Sequence, residues 1–302
     1  MRVRIGPRTG DSSSASPGVP ARRAGLTIVE LLVVLSVIAV LSGVLLPAIQ
    51  QVRETSRNLQ CGQHLKQLGT ALHAYHDSWR ALPPGLRCDA SRTTAFGWAA
   101  TLLPHLEQTP LHNAIDFHSA VATPGNLAIA TARIELFTCP SDNAPETFEL
   151  FAEADHEFAA ISPLTTSTEP VLARLPSASY LGVFGTPDPD DVRGPSGDGV
   201  FMADRSVRFA QVTDGLSNVY LVGERTARKL PATWFGIALD GEDAAGRLLG
   251  NAWLGPNRED ADECEFDSRH HGHVNFLWGD GRVTSVQDGI DPAIYRQSAT
   301  RD

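Results

Sequence analysis

Little in this 302-residue chain points to catalysis or to a bound cofactor. It has no P-loop, no GxGxxG dinucleotide fingerprint and, around Ser268, no GxSxG nucleophile elbow. The four cysteines, Cys61, Cys88, Cys139 and Cys264, include no CxxC pair, which argues against a zinc ribbon or a thioredoxin-type centre. Positive charge is also scarce, with 25 Lys+Arg against 35 Asp+Glu. Five of those cations, Arg2, Arg4, Arg8, Arg22 and Arg23, fall in the first 25 residues, where Asp11 is the single acid. Setting those six aside leaves 20 basic and 34 acidic residues, a net charge of -14 that argues against nucleic-acid binding.

What the chain does have is one long apolar run, GLTIVELLVVLSVIAVLSGVLLP, from Gly25 to Pro47. Residues 26–46 as a helix span roughly 31 Å, enough for the hydrocarbon core of a bilayer. Most of them are Leu, Ile or Val, each contributing roughly -0.3 to -0.6 kcal/mol to insertion, about -6 kcal/mol together. Glu30 opposes this by at most about 3 kcal/mol, so the segment is expected to insert. The basic leader holds its end in the cytoplasm and predicts export of the rest. Arg22-Arg23 lacks the flanks of a twin-arginine signal, and no small-x-small cleavage site follows the run.

Gly25-Leu26-Thr27-Ile28-Val29-Glu30 followed by an apolar run resembles the type IV prepilin and pseudopilin signal. The resemblance implies that a prepilin peptidase cuts between Gly25 and Leu26 and methylates the new amino terminus. Glu30 is then the fifth mature residue and Pro47 the twenty-second, the positions where such proteins carry Glu and Pro; Leu26 stands where they usually have Phe. It also supplies the cation that Glu30 needs, the amino terminus of a neighbouring subunit in a filament. Such pairing removes two desolvation penalties only when subunits are in register.

Beyond Pro47, residues Cys61, Leu65, Leu68, Leu72, Tyr75, Trp79 and Leu82 recur at intervals of three and four, with Gln63, Lys66, Gln67, Thr70 and Asp77 opposite. This predicts an amphipathic continuation of the helix over residues 47–82, lying against a sheet and ended by Pro83-Pro84-Gly85. His64, His73 and His76 read as polar-face or boundary residues, since zinc needs at least three protein ligands. Four cysteines admit three pairings. Cys61 with Cys139 is favoured, because Cys61 lies on the apolar face and Cys139 ends the apolar segment IELFTC. Residues 96–117 read as short helices broken by prolines, 134–140 as a strand, and 141–178 as an irregular insertion. Further strands are expected over 179–184, 200–212 and 219–223. Asp188, Asp190, Asp191 and Asp198 raise a calcium site, but no EF-hand pattern is present and a solvated acidic turn is the expectation.

Near the carboxyl terminus, VNFLW and RVTSV flank GDG, predicting a β-hairpin turning at Asp280-Gly281. His270 precedes Asp280 by ten positions, and extended chain between them keeps the two too far apart for a catalytic dyad. His270 is therefore read as a strand-entry residue and Asp280 as a turn residue. His270, Asp280 and Gly281 resemble the H-x9-DG motif of a bacterial family that joins a prepilin-type amino terminus to an exported domain. The resemblance extends through HLKQLGTALHAYHDSWRALPPG, LFTCPSD and SVRFAQVTDGLSNVYLVGER.

Together these readings predict an α+β, pilin-like protein whose long amino-terminal helix, membrane-spanning in its first half, packs on an antiparallel sheet with long loop insertions. Its parts are a cleaved leader (1–25), a membrane and filament-core helix (26–46), its amphipathic continuation (47–82) and a periplasmic head (83–302). The expected function is that of a pseudopilin-like structural subunit, not an enzyme, with no metal and no cofactor. It would pass once through the inner membrane and later join a periplasmic or cell-surface filament. The partners implied are prepilin peptidase, a type II secretion or pilus assembly platform, and other pseudopilins. Two other classes remain: a membrane-anchored periplasmic enzyme or metal-binding protein using the His270–His273 cluster, and an adhesive filament-tip module built on the 141–178 insertion.

Overall fold

The computed structural model of the protein describes residues 27–153, 170–190 and 197–302. Gly25, Leu26 and Asp191 lie outside the described residues. The chain divides into two units, residues up to Gln50 and Gln51–Asp302, and helix α1 (Ile28–Trp79) contributes to both.

In the first unit every residue from Thr27 to Gln50 is exposed, including all the large aliphatic side chains. A helix apolar all round and covered by none of the described residues meets the length and hydropathy requirements of a membrane span. It starts with a capping box. Thr27 accepts at Oγ1 from the Glu30 amide (3.2 Å), and the Glu30 carboxylate accepts from the Thr27 amide (2.9 Å) and hydroxyl (2.8 Å). Pro47 sits inside α1; lacking an N–H, it leaves the carbonyl four residues back without its helical donor.

The second unit is α+β. The strands are β1 (Leu86–Cys88), β2 (Thr94–Gly97), β3 (Thr147–Phe151), β4 (Val171–Ala178), β5 (Tyr180–Gly185), β6 (Tyr220–Glu224), β7 (Ala232–Thr233), β8 (Gly236–Ala238), β9 (Leu249–Asn251), β10 (His273–Trp278) and β11 (Val283–Gln287). The principal sheet runs β11-β10-β6-β5-β9, antiparallel except for the β5–β9 pair. Side chains alternate across it, as strand geometry requires. Leu277, Leu221 and Tyr180 join the core on one side with Cys61, Leu65, Leu68 and Leu72 of α1. Val274, Phe276 and Tyr220 join a second core on the other side, closed by Tyr295 and Ala299 of a helix at Pro292–Ala299.

The approach of α1 to β10 depends on Gly69, because a Cβ there would lie 2.7 Å from Leu277 Cδ1. Gly69→Val should destabilise the head by about 1–3 kcal/mol through overpacking, measured by urea unfolding; a variant as stable as wild type would show that the contact yields freely. The helix ends after Trp79 with Arg80 at φ 59°, ahead of the two prolines.

Four expectations need correction. Trp79 is 69 % exposed, so the apolar face stops at Tyr75 and resumes only at Leu82, beyond the helix end. The segment 134–140 is a 3-10 turn at Glu135–Phe137, which turns Phe137 into the core to stack on Trp234 while Cys139 reaches α1. Residues 200–212 form no long strand. Val200, Phe201 and Met202 are buried, but the segment makes only isolated bridges and turns at Asp204 (φ 53°), and Phe201 covers Gly182 of β5. Within 141–178, Thr147–Phe151 and Val171–Ala178 pair as antiparallel strands where an irregular insertion was expected.

Candidate functional site

The second half of α1 presents Glu54 and Asn58, the only two residues of 51–60 that are not exposed, one turn ahead of the buried face that starts at Cys61. They meet the segment entering β10. His270, 3 % exposed, places Nδ1 2.7 Å from Glu54 Oε1, Nε2 3.6 Å from Glu224 Oε1 and 3.5 Å from Cys139 Sγ. Ser141 donates to both Glu54 oxygens (2.9 and 3.1 Å). Glu224, 2 % exposed at the end of β6, also accepts from Ser268 Oγ (3.1 Å) and from the Asn275 amide (3.1 Å) and side chain (3.2 Å); Asn275 donates in turn to Asn58 (2.7 Å).

The electrostatics follow from two carboxylates around one imidazole. Burial works to push the His270 pKa down, but hydrogen bonds and charge from Glu224 and Glu54 outweigh it and hold His270 above the usual histidine value. Burial opposes ionisation of Glu54 as well, yet the hydrogen bonds from His270 and Ser141 and the His270 charge prevail and lower its pKa. The arrangement is a Glu54–His270–Glu224 clamp that ties α1 to the sheet. It corrects the reading of His270 as a plain strand-entry residue.

The hairpin turn at the far end of β10 also grips the helix. Gly281, at φ 80°, turns the hairpin, and its carbonyl accepts from Lys66 Nζ (2.6 Å). His73 Nε2 lies 3.0 Å from the Gly279 carbonyl. Asp280 Oδ1 accepts from the Arg282 amide (2.9 Å), closing the turn. From Glu54 to His73 is nineteen residues of helix, roughly 28 Å; ten extended residues from His270 to Asp280 reach about as far. His270 and the Asp280-Gly281 turn are thus two fastening points along α1, too far apart for direct contact. His64, expected at a boundary, lies beside Tyr180 (3.4 Å to its hydroxyl) and the Thr138 carbonyl (3.2 Å), while His76 stacks on Phe209.

Cys61 and Cys139 are joined by a disulfide with Cα atoms 5.2 Å apart, one atom layer from the clamp. Cys88 and Cys264 are free. His271 and His273 do not converge with His270 on a common point; the His273 Nδ1 lies 3.1 Å from the His271 carbonyl. Among the described residues of the acidic stretch, Asp198 accepts from the Thr186 amide (2.7 Å) and Asp190 accepts from the Ala245 and Gly246 amides (2.8 and 2.9 Å), so these two carboxylates have protein partners where a solvated turn is expected. Glu54 and Glu224 were missed as site residues. A signal for Glu54 and Asn58 does exist, since they extend the Cys61, Leu65, Leu68 spacing backwards as a polar stripe; nothing local marks Glu224.

An exposed apolar helix opening at a Thr-x-x-Glu cap, docked in its second half on an α+β head, defines a pilin-like protein. Residues 20–46 match the prokaryotic N-terminal methylation motif, so the chain carries a prepilin-type signal of the kind processed by prepilin peptidase and is membrane-associated through α1. Residues 50–293 match the family described as a protein of unknown function, DUF1559, and the chain belongs to that family. Comparisons with curated proteins and with solved structures returned no match.

Proposed function

We propose that the protein is a pseudopilin-like structural subunit, with a mechanical and not a catalytic role. Prepilin peptidase removes residues 1–25, the mature chain stays in the inner membrane with its head in the periplasm, and an assembly platform of type II secretion or pilus type draws it into a filament. The observation that supports this most is the continuous exposure of residues 27–50 below a methylation-type signal. In the filament these side chains exchange lipid for the helices of neighbouring subunits, and Glu30 trades its local cap on Thr27 for the amino terminus of the next chain. That exchange is favourable because a buried carboxylate facing an ammonium replaces two uncompensated charges. The two-ended fastening of the head to α1 suits a subunit that is pulled by its helix, since load passes through Glu54, Lys66 and the disulfide.

The test is the mass and amino-terminal sequence of the protein expressed with and without a prepilin peptidase. A start at methylated Leu26 that appears only with the peptidase, and disappears in Gly25→Val, is expected. An intact chain, or cleavage near Ser42, would overturn the reading.

A further inference from the structure

The clamp and the disulfide share a centre. One ligand atom from each of Cys61, Cys139, Glu224 and His270 lies within 4.8 Å of all the others, and the four residues are buried. Two sulfurs, an imidazole nitrogen and a carboxylate oxygen are all donors that zinc takes. Tetrahedral zinc, with Zn–S of about 2.3 Å and Zn–N of about 2.0 Å, sets sulfur and nitrogen about 3.5 Å apart. Cys139 Sγ and His270 Nε2 stand 3.5 Å apart, and Glu224 Oε1 lies 3.6 Å from the same nitrogen.

The groups around these four atoms are arranged as they are around bound zinc. A ligating histidine almost always gives its other ring nitrogen to a carboxylate, a carbonyl or water, which fixes the ring and its tautomer. His270 Nδ1 lies 2.7 Å from Glu54 Oε1, so Nε2 is the nitrogen that faces the sulfur and Glu224. Glu224 is itself oriented by Ser268 and Asn275. A cavity of about 290 Å³, lined by Gln60, His64 and Asp142 among others, reaches Cys139 and gives an ion a way in.

The redox state of the cysteine pair decides whether this donor set is complete, because sulfurs bonded to each other offer no thiolate. Opening the bond takes two electrons and two protons from a dithiol reductant, which becomes a disulfide itself, and leaves two thiols. The sulfurs then have to part from a bonded distance of about 2.0 Å to the roughly 3.8 Å edge of a zinc tetrahedron, on Cα atoms 5.2 Å apart.

We propose that, when Cys61 and Cys139 are thiols, the head binds one zinc ion through their two sulfurs, His270 Nε2 and the Glu224 carboxylate. Disulfide and zinc are then alternative cross-links of α1 to the sheet. Binding releases the two thiol protons, and the Nε2 proton where His270 is charged, while Nδ1 keeps its proton for Glu54. The thiol form is that of a chain whose bond has not yet formed or has been opened by a dithiol. This assignment is independent of filament assembly.

Cobalt(II) is the probe, added to full-length protein in detergent micelles in a Cys88→Ser/Cys264→Ser background, which removes the two free thiols. Reduced with a phosphine, this protein should take up one equivalent of cobalt with thiolate charge-transfer and tetrahedral d–d absorption, and zinc should displace it. The oxidised protein should show neither band. His270→Ala should weaken cobalt binding roughly tenfold or more, and adding Cys61→Ser/Cys139→Ser should abolish it. The comparison of reduced with oxidised protein carries the test if H270A fails to fold. Zinc should also raise the melting temperature of the reduced protein and leave the oxidised one unchanged. If reduction alone unfolds the head, zinc present during reduction should preserve its circular dichroism, and should not do so once Cys61 and Cys139 are replaced. No cobalt bands after reduction, bands that persist without Cys61 and Cys139, or bands equally strong in oxidised protein would overturn the assignment.

Discussion

His270→Ala should destabilise the head by about 3–5 kcal/mol, because it strands Glu224 as a buried carboxylate whose cation is gone. The loss is not one of packing volume alone. His270 is the only cation within ion-pair distance of Glu224 among the described residues, and the hydrogen bonds from Ser268 and Asn275 do not supply a charge. A double variant His270→Ala/Glu224→Gln should therefore recover part of the loss, since it removes the unpaired charge while keeping similar shape. Denaturant unfolding of the four proteins in the cycle measures this. A single-variant effect under about 1 kcal/mol would mean that the clamp is not an ion pair in solution.

The same clamp predicts a stability profile with two edges. The His270 pKa is raised in the folded state, so its contribution is fully present below the ordinary histidine value of about 6.5 and is lost as pH rises through the folded value. The Glu54 pKa is lowered, so its contribution is present above the ordinary glutamate value of about 4.3 and is lost as pH falls through the folded value. Greatest stability is expected between these limits, and H270A should flatten the decline on the alkaline side. An alkaline limb identical in H270A and wild type would rule out His270 as its source.

Removing the disulfide has a comparable expected effect by a different route. The Cys61–Cys139 bond closes a loop of 78 residues, and in the chain-entropy model such a cross-link contributes about 4–5 kcal/mol by restricting the unfolded chain. Cys61→Ser/Cys139→Ser should lower the melting temperature by about 10 °C or more, given the usual dependence for a domain of this size. Wild type treated with a reductant under denaturing conditions should fall to the same value, whereas the double variant should not respond. Because Cys139 Sγ lies beside the His270 ring, the two losses should not add: residues this close share packing and hydrogen bonds, and the coupling is expected at about 0.5–3 kcal/mol. Strict additivity would show that the disulfide and the clamp stabilise α1 independently.

The parts of this protein that could be read without coordinates are those governed by neighbours in the chain. Twenty-one residues of near-continuous Leu, Ile and Val make a helix for lipid whatever follows them, and Pro83-Pro84 stops its continuation wherever it packs. The β10–β11 hairpin was equally legible, because Asp280-Gly281 supplies the positive φ between two apolar runs. Residues 134–140 and 200–212 have the sequence pattern of strands and do not form them, for the converse reason. Their apolar content is real, but it serves burial of Phe137 and Phe201 against partners remote in sequence, and burial does not require a ladder.

The candidate sites divide along the same line. His270 could be marked from its spacing to Asp280-Gly281, and Cys61 from its helical face. Its partners could not, since Glu54 and Glu224 lie 216 and 46 positions away and only docking of α1 across β10 and β6 brings the three together. Likewise Asp188, Asp190 and Asp198 are visible as a cluster in the sequence, yet the fold gives them distant partners, with Asp190 and Asp198 accepting from remote backbone amides and Asp188 near Asp262. Periodicity and turn chemistry act over a few residues and are written in the local sequence; which buried charge meets which depends on long-range packing, and that is decided only when the helix lies down on the sheet.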